Sequence, residues 1–225
     1  MGIPLVCLMP GELENLIVPV LNRYDLLQRM LDSVDVSVDH LLIIDNGLGT
    51  DTLELSDKFA KVTHLRMPAN LGVAGSWNLG IKSFPYAHLW FIVSNDVVFQ
   101  PGALEKLSQA RRDEITLTAD APNWQAFALG DEAVMDLGLF DECGFYPAYF
   151  EDNDYIRRAQ FAGVNIRKLD IDLHHDNSST IKSGYQSKND KTFFANQRYY
   201  QSKIDADDYS SGTYSLEIRR ANGWE

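Results

Sequence analysis

The sequence predicts an α/β fold with a mostly parallel central sheet, and three observations carry that expectation. Short apolar runs alternate with segments of helical periodicity through the first hundred residues. Each apolar run closes on polar residues. The chain, 225 residues with 45% apolar content, is long enough for one sizeable core and suits one large unit better than two small ones.

The elements follow in order. Asn15 to Leu21 reads as a buried strand, and Tyr24 to Val34 places Leu26, Leu27, Met30, Leu31 and Val34 at helical spacing. His40 to Asp45 is a second strand, ended by Asn46-Gly47, and Val62 to Arg66 is a shorter third. Gly72 to Phe84 reads as a helix whose first turn is rich in small residues, followed by a strand from Leu89 to Val93. Ala103 to Arg111 is another helix, and Asp120 to Ala128 is less regular. A helix opens near Glu151 and stops at Gly163, where a left-handed residue can terminate it. The stretch from Asp205, rich in Asp, Ser and Gly, is expected to be a weakly packed extension, and there is no internal repeat.

Composition narrows the function. Twenty Lys and Arg against 32 Asp and Glu give a formal charge of −12, so the summed field repels polyanions, although it leaves a local basic groove open. Cys7 and Cys143 make neither a disulfide framework nor a zinc site, which fits a reducing, cytoplasmic setting. The most apolar segment, Leu89 to Val93, is far short of the roughly 20 residues that span a bilayer. No basic region followed by a long apolar run marks the N-terminus.

Ligands of open α/β sheets bind outside the carboxyl ends of the strands, and Asn22, Asp45, Asn70 and Asp96 all fall there. Phe91-Ile92-Val93-Ser94-Asn95-Asp96 is an apolar strand that ends in a carboxylate. Mg²⁺ and Mn²⁺ favour oxygen ligands and are often held by one or two carboxylates with substrate phosphates. Asp96 can therefore be a cation ligand or, equally, a turn residue before Pro101-Gly102. Tyr149-Phe150-Glu151-Asp152-Asn153-Asp154 sets three acids in the first turn of a helix, where the macrodipole stabilises each by ~0.3–1 kcal/mol. Asp154 sits four residues before Arg158, at ion-pair spacing, which leaves Asp152 the better candidate for a general base.

These pieces occur in the order found in glycosyltransferase family 2, which the chain resembles over roughly residues 15 to 180. The resemblance runs through Val18-Pro19-Val20-Leu21-Asn22-Arg23, Ile43-Ile44-Asp45-Asn46-Gly47, Asn70-Leu71-Gly72-Val73-Ala74-Gly75-Ser76-Trp77-Asn78-Leu79-Gly80 and Ser94-Asn95-Asp96. It resumes at Gly138-Leu139-Phe140-Asp141-Glu142 and at the Glu151-Asp152 pair. It implies a GT-A fold, with one catalytic domain over 1–204 (a nucleotide-sugar half about 15–100, an acceptor half about 101–204) and a tail over 205–225. Pro19, Val20, Asn22 and Asp45 would line the nucleobase and ribose pocket, and Asn70, Gly72 and Asn78 would approach the nucleotide. Asp96 would meet Mn²⁺ or Mg²⁺ at the family's Asp-x-Asp position. Here Ser94 replaces the first acid, and Asn95 can supply part of its contacts.

Leu173-His174-His175-Asp176-Asn177-Ser178-Ser179 resembles the family's late His followed by Ser. His174 is favoured over His175 as a second metal ligand. Asp152 would be the base, with Glu151 orienting the acceptor or supporting the site. Trp124 is either an acceptor platform or a core residue, and Arg198 and Lys203 are either diphosphate contacts or surface charges. The Gln-x-x-Arg-Trp motif of processive synthases is absent, which points to a single transfer per acceptor.

The resulting expectation is an inverting, metal-assisted transfer from a nucleotide-diphosphate sugar to a hydroxyl on a glycan, lipid-linked sugar, protein or, least favoured, modified DNA base. A homo-oligomer is left open. A dinucleotide oxidoreductase lacks its glycines after the first strand. A catalytically silent nucleotide-sugar or glycan binding module on the same fold is the alternative that Ser94 keeps open.

Overall fold

The computed structural model describes residues 11–47, 49, 52–119, 124–175 and 186–210. The elements are β1 (Glu12–Leu13), β2 (Leu16–Val20), α1 (Tyr24–Ser33), β3 (Ser37–Asp45), β4 (Phe59–Arg66), α2 (Gly72–Ser83), β5 (Leu89–Val93) and β6 (Val97–Phe99). They continue as α3 (Ala103–Leu107), β7 (Glu114–Thr118), β8 (Ala126–Gly130), α4 (Asp131–Leu137), α5 (Glu151–Ala162), β9 (Asn165–Leu169), β10 (Leu173–His175) and α6 (Gln186–Asp205).

The main sheet runs β4-β3-β2-β5-β8-β7-β9, with β1 paired to the start of β3. β4, β3, β2 and β5 pair in parallel, and β8 enters antiparallel to both β5 and β7. Alternation along each strand feeds two cores. Val18, Val20, Leu41, Ile43, Phe91, Val93, Ala126 and Ala128 join Leu27, Met30 and Leu31 of α1 and Leu104 and Leu107 of α3. Ile17, Leu42, Ile44, Trp90, Ile92, Phe127 and Leu129 join Trp77 and Ile81 of α2, Val134 of α4 and Tyr155 of α5. Strands buried on both faces read as continuous apolar runs. For that reason β2 and β5 stand out in the sequence.

The sequence expectations hold for β5 to the residue and for α5, whose Gly163 takes a left-handed conformation, φ 73°. Three elements differ. β3 and β4 start earlier, at Ser37 and Phe59, because the added residues carry the pairing on across the sheet, Val38 opposite Phe59. α3 ends at Leu107 because the chain turns toward β7, where the Arg112 carbonyl accepts the Glu132 and Ala133 amides. The stretch expected to be irregular overlaps the start of β8, and residues 120–123 lie outside the described residues. The start of the expected tail is docked. Tyr209 stacks on Phe161 at 4.0 Å, and Arg157 lies over the Tyr209 ring at 3.9 Å and donates to the Asp208 carbonyl at 2.7 Å.

Candidate active site

The carboxyl ends of β2, β3 and β5 gather the expected donor-side residues, and their side chains do different work. Pro19 and Val20 pair with Ile44 and Asp45 at the end of β2. Asp45 is buried and turned inward. Its Oδ1 accepts from the Tyr24 hydroxyl at 2.6 Å and the Gly47 amide at 3.0 Å, and Oδ2 lies 3.0 Å from Nε2 of His64. Burial and the Asp45 contact push the Tyr24 hydroxyl up to about 12. Asn95 Nδ2 donates to the Asn22 carbonyl at 3.2 Å. Asn22 Oδ1 is buried with no partner among the described residues, an acceptor whose desolvation asks for one.

Two motif residues serve the protein rather than an open pocket. Gly72 has φ 75°, and a Cβ there would lie 2.7 Å from the Pro147 carbonyl oxygen. That carbonyl accepts the Val73 amide at 2.7 Å, and the Tyr146 hydroxyl donates to the Asn70 carbonyl at 3.1 Å. The small residue at Gly72 therefore admits the 146–147 backbone, and Asn70 Oδ1 accepts the Gly72 amide at 2.8 Å to shape the turn. Asn78 is only 1% exposed, and its amide brackets Phe140, donating to the carbonyl at 2.9 Å and accepting the N–H at 3.0 Å. The close neighbours of Gly72 and Asn78 here are thus protein groups, where the resemblance implies an approach to the nucleotide. Gly80 packs on Ile17, an approach that belongs to helix-to-sheet packing. Asn46, which the sequence did not single out, ties β3 to α2, accepting the Leu71 amide at 2.9 Å and donating to the Ser76 hydroxyl at 2.9 Å.

Asp96 follows β5 and is buried beside the small β6–β10 sheet. In that register His175 faces Val97 and His174 faces Val98, so the two imidazoles leave on opposite sides. His175 Nε2 lies 3.1 Å from Asp96 Oδ1, while His174 is exposed. The imidazole beside Asp96 is thus that of His175, whereas the sequence favours His174. Asp176 to Ser179 of that motif lie outside the described residues. Asp96 offers the oxygen donor that Mn²⁺ and Mg²⁺ favour, with His175 beside it, and among the described residues no group of three or more His, Cys, Asp and Glu could hold an ion by itself. The buried His175 Nδ1 has no partner among the described residues.

The acidic segment opens α5 after two non-glycine residues in left-handed conformation, Tyr149 at φ 79° and Phe150 at φ 74°. Asp154 is fully buried between Arg158 Nε at 3.0 Å and Lys203 Nζ at 2.7 Å. Arg158 also donates to the Leu137 and Leu139 carbonyls at 2.6 and 2.8 Å. Glu151 is 5% exposed, and its Oε2 is buried without a partner among the described residues. Burial first and the neighbouring Asp152 charge second push Glu151 up to about 8. Asp152 is partly exposed, makes no ion pair among the described residues and accepts the Asn153 amide at 2.8 Å. Crowding by protein still raises its carboxyl above the ordinary range.

Of the remaining candidates, Trp124 packs within the core against Trp77, Phe127, Phe140 and Tyr155. Lys203 is buried on Asp154, 3.7 Å from Asp141, and Arg198 is exposed.

Residues 15–117 match the family described as Glycosyl transferase family 2. No curated protein matches the sequence. Among solved structures, a mutant Drosophila β-1,4-galactosyltransferase 7 in complex with manganese, UDP-Gal and xylobiose is similar at 13% identity, TM-score 0.50, over 76% of this chain and 73% of that one. GalNAc-T7 with UDP, GalNAc and Mn²⁺ is similar at 12% identity, TM-score 0.52, over 72% of this chain and 43% of that one. S. aureus TarS 1–349 in complex with UDP-GlcNAc is similar at 15% identity, TM-score 0.51, over 69% of this chain and 55% of that one. This chain covers less than two thirds of the last two, and at such identities the likeness is one of fold. The mostly parallel sheet, its flanking helices and the matched segment lead to one conclusion: residues 15–117 match glycosyltransferase family 2, and the chain takes the GT-A fold of the similar structures.

Proposed function

We propose that this chain transfers one sugar from a nucleotide-diphosphate donor to an acceptor hydroxyl in a single, inverting displacement with Asp152 as general base. The observation that carries the reading is the division of labour among the three acids of α5. Asp154 is committed to Arg158 and Lys203, Glu151 is buried and favours its neutral form near pH 7, and Asp152 alone is partly exposed and outside any ion pair among the described residues. A raised proton affinity suits a base, and a positioned base contributes roughly 10²–10⁴-fold in rate.

In the step itself the acceptor oxygen attacks the anomeric carbon while its proton passes to the Asp152 carboxylate. The bond from the anomeric carbon to the diphosphate breaks, and the nucleoside diphosphate leaves with the electron pair. Neutral Glu151 avoids a second negative charge beside the base. Asp96 and His175 would hold a divalent cation, Mn²⁺ or Mg²⁺, whose chemistry is to offset charge on the diphosphate. Pro19, Asn22 and Asn95 border the donor pocket, with the unpartnered Asn22 Oδ1 available to a donor N–H or O–H. A single domain acts on a glycan, lipid-linked sugar, protein or, least favoured, modified DNA base.

A second reading, a binding module without turnover, draws on Ser94 in place of the family's first acid. Because the similar structures hold UDP or UDP-sugars, UDP-Gal, UDP-GalNAc and UDP-GlcNAc with Mn²⁺ are the first donors to assay for UDP release and thermal shift. UDP release supports the transferase. A thermal shift without UDP release, with or without candidate acceptors, supports the module.

A further inference from the structure

The turn that delivers Glu151 and Asp152 is held from outside by α6. Phe193, Asn196 and Tyr200 recur at i, i+3 and i+7, one face of a helix, and all three meet this turn. Asn196 is 4% exposed, and its Nδ2 donates to the Ala148 carbonyl at 2.8 Å and, more weakly, to the Tyr149 carbonyl at 3.4 Å. Phe193 packs against Tyr149 and Phe150, each with ring centroids 5.2 Å apart, and Tyr200 stacks on Phe150 at 5.6 Å and 27°. The backbone held this way is under strain. A non-glycine residue in the left-handed region costs on the order of 1–3 kcal/mol, and here two stand in succession, Tyr149 and Phe150.

We infer that Asn196 is a positioning residue, which with the aromatic face of α6 keeps the 148–150 turn in its left-handed form and so fixes where the Asp152 carboxylate stands. The inference rests on the reading of Asp152 as the base. Its geometric content can be tested without it. The α5 amides and the Asp154 pairs anchor the helix beyond the turn, so release of the Asn196 bond frees the turn while α5 persists. Asp152 is the first carboxylate downstream with partial access to solvent.

The test uses the full chain and three variants, Asn196→Ala, Asn196→Asp, which keeps the shape but loses the donor, and Tyr149→Gly/Asn196→Ala. Glycine adopts positive φ without strain, so the double variant should hold the turn without the clamp. The Asp152 carboxylate is followed by carbon-13 NMR titration and assigned with Asp152→Asn. UDP release from the UDP-sugars named above with Mn²⁺ is measured in parallel. The expected result is an Asp152 titration that moves away from the wild-type value in both single variants and returns toward it in the double variant. kcat should fall on the order of 100-fold with donor KM unchanged, the scale of a misplacement of about 1 Å. An Asp152 titration identical to wild type in a folded Asn196→Asp or Asn196→Ala protein would overturn the inference. If neither single variant folds, the Tyr149→Gly/Asn196→Ala protein decides: failure of it to fold as well overturns the idea that strain relief replaces the clamp. A titration that moves while Asp152→Asn keeps full turnover retains the positioning and rejects the base.

Discussion

The side chain of Asn78 brackets the backbone of Phe140, donating to its carbonyl at 2.9 Å and accepting its amide at 3.0 Å, so that α2 is fastened to the segment leading toward α5. The same Nδ2 reaches Glu142 Oε2 at 2.7 Å. Asn78→Ala would leave two buried backbone groups unsatisfied, which costs on the order of 1–3 kcal/mol apiece. Urea unfolding should show a loss of about 3 kcal/mol while the Kd of the donor stays unchanged. A weakened donor Kd with unchanged stability would return Asn78 to the nucleotide pocket.

Glu151 makes the stability of the fold depend on pH. Its carboxyl rises from an ordinary 4.5 to about 8 in the folded chain, chiefly by burial. Between those values the folded state binds more protons than the unfolded one, so stability is full below about pH 4.5 and is lost as the pH rises through about 8. Glu151→Gln removes the group that titrates. Denaturant midpoints should show the variant gaining on wild type from pH 5 to pH 8.5, and an equal difference at both would count against the buried, neutral Glu151.

The β6–β10 register sets a contrast between adjacent histidines. His175→Ala should raise the Mn²⁺ concentration for half-maximal UDP release by at least about tenfold, within the range found when a metal site loses a supporting imidazole contact. His174→Ala, on the exposed side of the strand, should leave it unchanged. The opposite pattern would place the metal against His174.

Much of the fold was legible in the sequence because two-sided burial writes continuous apolar runs, as in Leu16–Val20 and Leu89–Val93, and because Gly163 marks the end of α5 by its conformation. β8 was not legible. Ala126 to Gly130 is short and rich in small residues, and becomes a strand through pairing with β5 and β7, which the local sequence does not encode. At the site, residue types were legible and their orientations were not. Gly72 and Asn78 carry the same pattern whether the close neighbour is a phosphate or the backbone of Pro147 and Phe140. The choice of His175 over His174 depends on pairing with Val97 and Val98, more than 70 residues upstream. The left-handed turn at Tyr149 and Phe150 carries no glycine or asparagine to announce it, since α6 imposes it from a distant part of the chain.

Asp152→Asn isolates the proposed base, because asparagine keeps the size of the side chain and removes the group that takes the acceptor proton. With the first UDP-sugar that wild type turns over, kcat for transfer and donor Kd are measured side by side. kcat should fall by roughly 10²–10⁴-fold while Kd is unchanged. Near-normal kcat in a folded Asp152→Asn protein would contradict it.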